Sequence, residues 1–152
     1  MGKVSARIDV PGQASDAEAL WYDHRRWPAF LDGCKYVARV EGDWPAVGAL
    51  VIWDSYPGGR GRVLEEVTGY EARVGQSLAI EDESIRGTQR VAFTPHAAGV
   101  TVSLELAYEL KKPRGRFGAF DLLFVRRPQR ESLERTLRRF AGELRAERDP
   151  GV

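Results

Sequence analysis

Two carboxylates are the residues best placed to do chemistry in this chain: Glu65 and Asp82. Each falls in a run that otherwise reads as the apolar face of a strand. In RVLEEVTGYEA (62–72), Val63, Glu65 and Val67 share one face, and Arg62, Leu64 and Glu66 take the other. If the two valines enter a core, Glu65 enters with them. In QSLAIEDESI (76–85), Leu78 and Ile80 carry Asp82 inward in the same way. A closed core disfavours an unpaired charge by several kcal/mol, whereas a cavity holding water or a ligand's polar group does not. Two readings follow for each. Either the carboxylate lines a pocket, or it sits near a strand end, reaches solvent or pairs with an arginine. In a pocket, burial raises a carboxyl pKa toward the range of a general base.

Other chemistries find little support. His24 and His96 are far apart, have no metal-ligand spacing and are expected to be exposed. Cys34 has no paired motif and reads as a structural thiol. The chain has no serine nucleophile elbow and no HExxH. Gly58-Gly59 lacks the Lys-Ser/Thr that would complete a phosphate loop. The sequence therefore calls for neither metal nor cofactor.

These carboxylates have to be positioned by strands. KVSARIDV (3–10) puts Val4, Ala6, Ile8 and Val10 on one face. Pro11-Gly12 ends it, and Ser15 with Glu18 fits a capping box, placing a helix start near Asp16. Pro28 interrupts that pattern and predicts a second short helix over 26–31. Strands follow over 34–44, 49–56, 62–72, 76–85, 88–95 and 100–111, with turns at Pro57-Gly58-Gly59, Gly75 and Gly87. Spacing this short implies an antiparallel meander. In the last strand Val100, Val102, Leu104, Leu106, Tyr108 and Leu110 form one face. Parity thus nominates Trp53, Glu65, Ile80, Asp82, Val91, Phe93, Leu106 and Tyr108 as an interior set; in the ambiguous 49–56 strand, size favours Trp53 inward. A long C-terminal helix is predicted from Phe117, Phe120, Phe124, Leu133, Leu137, Phe140 and Leu144, with Pro128 as a kink between its halves. Phe117, Phe120 and Phe124 read either as a cavity lid or as ordinary core. Trp21, Trp27 and Trp44 read as anchors of the short helices and a strand end.

Length and charge set the class. At 152 residues the chain suits one domain, 1–152, that buries roughly 70% of its unfolded surface. The opening MGKVSARIDV has no apolar signal-peptide core, and no run reaches membrane-spanning length. One cysteine permits no internal disulfide. A soluble, cytoplasmic protein is the expectation. Net charge is +1, which gives no general drive toward nucleic acid. Charge is nevertheless uneven: residues 111–148 hold 12 Lys/Arg and 5 Asp/Glu, net +7, against net −5 for residues 1–110. A solvated helix face packed on an acidic sheet accounts for this; a basic surface for membrane or RNA is the alternative.

The order strand, two short helices, six strands, long helix resembles the START-like, helix-grip (SRPBCC) superfamily, and its polyketide cyclase/dehydrase-type branch in particular. The opening VSARIDVPGQASDAEALWYDHRRWPAFL, the stretch WPAVGALVIWDSYPGGRGRVLEEVTGYEA and the proline-containing LLFVRRPQRESLERTLRRFAGEL carry the resemblance. It implies an α+β fold, in which a curved antiparallel sheet of six to seven strands wraps around a long kinked C-terminal helix. It also implies a cavity between the two for a small hydrophobic molecule such as a lipid, polyketide or quinone-like compound. Three functions follow as expectations: a carrier or sensor of such a ligand, with a homodimer allowed; an aromatase/cyclase-like enzyme, in which Glu65 or Asp82 would be the general base on an acidic C–H and Tyr108 would steady the developing enolate; or a protein-binding module using the basic helix. Fold does not choose among them.

Overall fold

The computed structural model describes residues 1–111 and 118–148, with the backbone alone over 118–124. Strand β1 (Gly2–Val10) leads to α1 (Ala14–Trp21), a 3-10 turn (His24–Arg26) and α2 (Trp27–Phe30). Six strands follow: β2 (Cys34–Glu41), β3 (Leu50–Ser55), β4 (Arg62–Glu71), β5 (Gly75–Glu81), β6 (Ile85–His96) and β7 (Gly99–Leu110). Helix α3 (Gly118–Arg148) ends the described chain. All seven strands make one antiparallel sheet in the order β1-β7-β6-β5-β4-β3-β2. It is the helix-grip arrangement, an α+β fold with one face of a curved sheet against α3.

Alternation in β7 produces that packing face. Val100, Val102, Leu104, Leu106 and Tyr108 are all buried, as are Val63, Glu65 and Val67 on β4 and Val51 and Trp53 on β3. Leu133, Leu137, Phe140 and Leu144 give α3 its buried stripe, each contributing about 2 kcal/mol of hydrophobic stabilisation. Phe140 meets Trp21 and Phe30, both at 5.4 Å between ring centroids. The indole N–H of Trp27 donates to the Trp21 carbonyl at 2.8 Å, and that of Trp44 to the Tyr22 carbonyl at 2.7 Å.

Polar ties fasten the C-terminal half of α3. Asp32 takes two hydrogen bonds from Arg135, both at 3.0 Å, one from Ser132 and one from Arg139. Arg26 pairs with Glu143 and Glu147. Asp32, between α2 and β2, thus receives two arginines of the helix, while Arg26, before α2, receives two of its glutamates. Pro128 lies within α3, where it removes one backbone donor. Phe117 lies outside the described residues, as do the side chains of Phe120 and Phe124, so the expected lid lies there too.

Two boundaries, one cap and the burial of one histidine differ from the sequence reading. Helix α1 starts at Ala14, with Asp16 accepting the Gln13 backbone N–H at 2.8 Å. Glu18, expected as the partner of Ser15 in a capping box, instead accepts the Arg73 backbone N–H at 2.6 Å. The turn expected at Gly87 lies at Asp82-Glu83-Ser84. Asp82 Oδ1 accepts the N–H groups of Ser84 (2.8 Å) and Ile85 (2.9 Å), closing a side-chain-mediated turn that ends β5 early. Gly87 is a position inside β6, where a Cβ would collide with the Ala107 carbonyl oxygen. His24, expected to be exposed, is half-buried in the 3-10 turn.

Candidate functional site

Register builds the site. Glu65 stands opposite Ile80, Ile80 opposite Gly87, Gly87 opposite Tyr108, and Tyr108 opposite Gly2. This row crosses the inner face from β4 to β1, and three strand spacings put the backbones of Glu65 and Tyr108 about 14 Å apart. Gly87 adds no side chain between Ile80 and Tyr108. Tyr108 is fully buried, and its hydroxyl has no hydrogen-bond partner among the described residues.

The other end of the row is polar. Glu65 is 3% exposed, and Trp53 Nε1–H donates to its Oε2 at 2.7 Å. Burial pushes its carboxyl up from 4.5 to about 7, although the Trp53 N–H and the Arg60 charge both pull the other way. Arg60 reaches in from the β3–β4 hairpin. Its Nε donates to Asp82 Oδ2 at 2.8 Å, and its guanidinium carbon lies 5.4 Å from the centroid of the Trp53 ring. Its Nη2 is buried with no acceptor among the described residues, and the Ser55 hydroxyl is likewise unpartnered. Cys34, on the neighbouring edge strand, has its thiol pushed up to about 12 by burial and then by the charges of Glu65 and Asp54, so it stays protonated.

The two carboxylates thus differ in kind. Asp82 is buried, but its oxygens are taken by two backbone N–H groups and Arg60. Glu65 has one hydrogen bond among the described residues, and burial lifts its carboxyl to about 7, which suits acid–base chemistry. Ile80 lies beside Glu65 in the row, and Leu106 is two residues from Tyr108 along β7. Val91 and Phe93 lie four and six residues along β6 from Gly87, toward α1, where Phe93 meets the Tyr22 ring at 6.0 Å. The interior set is therefore spread along the sheet, with only Trp53, Glu65, Asp82 and Ile80 gathered at the polar end.

Arg60 was missed by the sequence reading. Parity counts residues on strands, and Arg60 sits in a glycine-flanked hairpin where no parity applies. Its signal was indirect: two inward carboxylates need a cation, and Gly59-Arg60-Gly61 offers one between flexible neighbours. On the outer face of the sheet a shallow depression of about 440 Å³ runs past Leu64, Ala79, Thr88 and Ala107, away from this chemistry. Among the described residues no group of three His, Cys, Asp or Glu could hold a metal ion, and no helix is long and apolar enough to cross a membrane.

The strand order and the long C-terminal helix are those of the START-like, helix-grip fold. The model of the family described as "Polyketide cyclase / dehydrase and lipid transport" matches residues 1–145, and the chain belongs to that family. Among solved structures it is similar to TTHA0849 from Thermus thermophilus, at 23% identity and TM-score 0.74, covering 95% of this chain and 98% of that one. It is also similar to the di-domain ARO/CYC StfQ of the steffimycin biosynthetic pathway, at 18% identity and TM-score 0.74, covering 99% of this chain and 52% of that one. A third is a START superfamily protein from Mycobacterium smegmatis, at 15% identity and TM-score 0.72, covering 95% and 98%. At these identities the likeness is one of fold. No curated protein matches the chain.

Proposed function

We propose that this protein holds a small hydrophobic ligand between the inner face of the sheet and α3. One observation carries the reading: polar atoms on this face, the Tyr108 hydroxyl and Arg60 Nη2, are buried without partners among the described residues. A buried donor left unsatisfied costs about 1–3 kcal/mol, and a ligand oxygen would offset that cost. The apolar length of the site, through Ile80, Leu106 and Val91, suits rings or a chain. The family's description, lipid transport among its terms, agrees with this. The test is saturable binding of N-phenyl-1-naphthylamine, an uncharged apolar fluorophore. Wild type should bind one equivalent, and Ile80→Phe, which crowds the row beside Glu65, should lose it while keeping its melting temperature. No saturable binding, or binding indifferent to Ile80→Phe, would remove the proposal.

A second reading is supported by one residue. A buried carboxyl near pKa 7 has the proton affinity of a general base at neutral pH, and Glu65 is such a group. In an aromatase/cyclase-like reaction Glu65 would take the proton from an acidic C–H flanked by carbonyls. Arg60, next to Glu65, would face the developing enolate more closely than Tyr108, three strands away. A folded Glu65→Gln variant with full turnover of a poly-β-ketone substrate would exclude this role.

A further inference from the structure

The Arg60 guanidinium is only half used. Its Nε serves Asp82, and its face lies against the Trp53 ring. Asp82 balances its charge but meets it through one oxygen, because Oδ1 of that carboxylate is committed to the N–H groups of Ser84 and Ile85 and is not available for a bidentate contact. Glu65 is near enough to feel the arginine's charge, yet its hydrogen bond goes to Trp53. Nη2 therefore remains a buried, charged donor with no acceptor among the described residues, and the unpartnered Ser55 hydroxyl belongs to the strand leading into the same hairpin. A charged donor held in such a place has the geometry to receive an oxygen anion.

We propose that Arg60 is the specificity-determining residue of the interior site, and that the ligand is an apolar molecule ending in an anionic oxygen: a carboxylate, phenolate or enolate. The inference rests on the ligand-binding reading above and narrows its chemistry. The apolar body would lie along Ile80 and Leu106, and the anion would dock on Arg60 Nη2, beside Trp53. A neutral lipid or sterol would leave the arginine unsatisfied and would bind less well.

The arrangement also makes binding depend on pH. Glu65 is the acid facing Arg60 across Trp53 from β4; β2 contributes the neutral thiol of Cys34, β5 the apolar Ile80, the β5–β6 turn Asp82, and α3 Arg126 on the Tyr108 side. An ionised Glu65 would compete with the ligand anion for one guanidinium, whereas a protonated Glu65 would not. Anion affinity should therefore fall as pH rises through neutrality.

The test is isothermal titration with 2-naphthoate and its uncharged methyl ester, from pH 6 to pH 8.5. Wild type should prefer the carboxylate by roughly 10- to 100-fold, the range expected of a charge-assisted hydrogen bond. Arg60→Met should abolish the preference by weakening 2-naphthoate while leaving the ester unchanged. If that variant does not fold, Arg60→Met/Asp82→Asn removes both charges while the new amide keeps an acceptor for the turn, and the same loss of preference is expected. In Glu65→Gln the fall with pH should disappear. Equal affinity of wild type for the two compounds, or equal weakening of both by Arg60→Met, would overturn the inference and leave the ligand-binding reading standing. Failure of wild type to bind either compound would overturn both.

Discussion

The Trp53 indole N–H and the Glu65 carboxyl, joined at 2.7 Å across β3 and β4, share the buried interior with an arginine that neither fully engages. Cross-strand placement explains the bond: Trp53 stands opposite Val63 and Glu65 opposite Val51, so the two side chains are diagonal neighbours on one face. The bond supplies the buried carboxyl with one donor in either protonation state. It does not overcome the desolvation that lifts the pKa of Glu65 to about 7.

Stability should follow Glu65 with a definite sign. A carboxyl at 4.5 in the unfolded chain and about 7 in the fold holds its proton more tightly when folded. Its favourable contribution is complete below pH 4.5, declines as the unfolded chain ionises, and is gone above pH 7. The shift corresponds to about 3 kcal/mol. Denaturant unfolding of wild type and Glu65→Gln at pH 4.5, 6 and 8 should show wild type losing ground to the variant by roughly that amount. Parallel pH profiles would contradict the assignment.

Removing the indole donor should leave Glu65 unsatisfied. Trp53→Phe is expected to cost about 2–4 kcal/mol, combining lost packing with a missing hydrogen bond. A cycle with Glu65→Leu separates the terms: in that background the hydrogen-bond part should vanish, giving a coupling of about 1 kcal/mol or more. Additive losses would mean that the bond contributes nothing.

Asp82 should behave as a turn-forming residue. Asp82→Ala removes the acceptor of two backbone N–H groups and of Arg60, for a loss of about 2–4 kcal/mol. Asp82→Asn keeps an acceptor for the turn and should lose less than half as much. Chemical denaturation decides: equal losses in the two variants would mean that the Arg60 pairing, not the turn, accounts for the residue.

Asp32 should hold α3 in place. It joins Ser132, Arg135 and Arg139 on the helix to the segment between α2 and β2, and its own backbone N–H donates to the Thr136 hydroxyl at 3.0 Å. Asp32→Ala should cost about 1–3 kcal/mol and speed amide exchange around Leu133 and Leu137 more than in β7. Unchanged exchange in α3 would show that apolar packing alone secures the helix.

The sheet was legible because burial of one face imposes a period of two. Val100 to Tyr108 announce it without interruption, and the same parity places Glu65, Ile80 and Asp82 inside, with size deciding for Trp53 where parity was ambiguous. The α3 stripe was legible for the matching reason, at a period near 3.6. Parity says which way a side chain points and nothing about what it meets. Asp82 and Glu65 therefore looked alike, although three donors surround one and a single indole N–H the other. Local polar competition was also invisible: Asp16 rather than Ser15 sets the start of α1, and Asp82 rather than Gly87 makes the turn. Arg60 escaped notice because its partners are 22 residues away at Asp82 and in the ring of Trp53, a relation that only the closed hairpin creates.

The central claim is that the grip between sheet and α3 is a binding site. Native mass spectrometry of the freshly purified protein, followed by solvent extraction, tests it most directly. The account predicts a retained small molecule that is apolar, carries an acidic oxygen and is released more readily above pH 7. A protein that emerges without a bound molecule, and stays so after incubation with fatty acids and aromatic carboxylates, would contradict it.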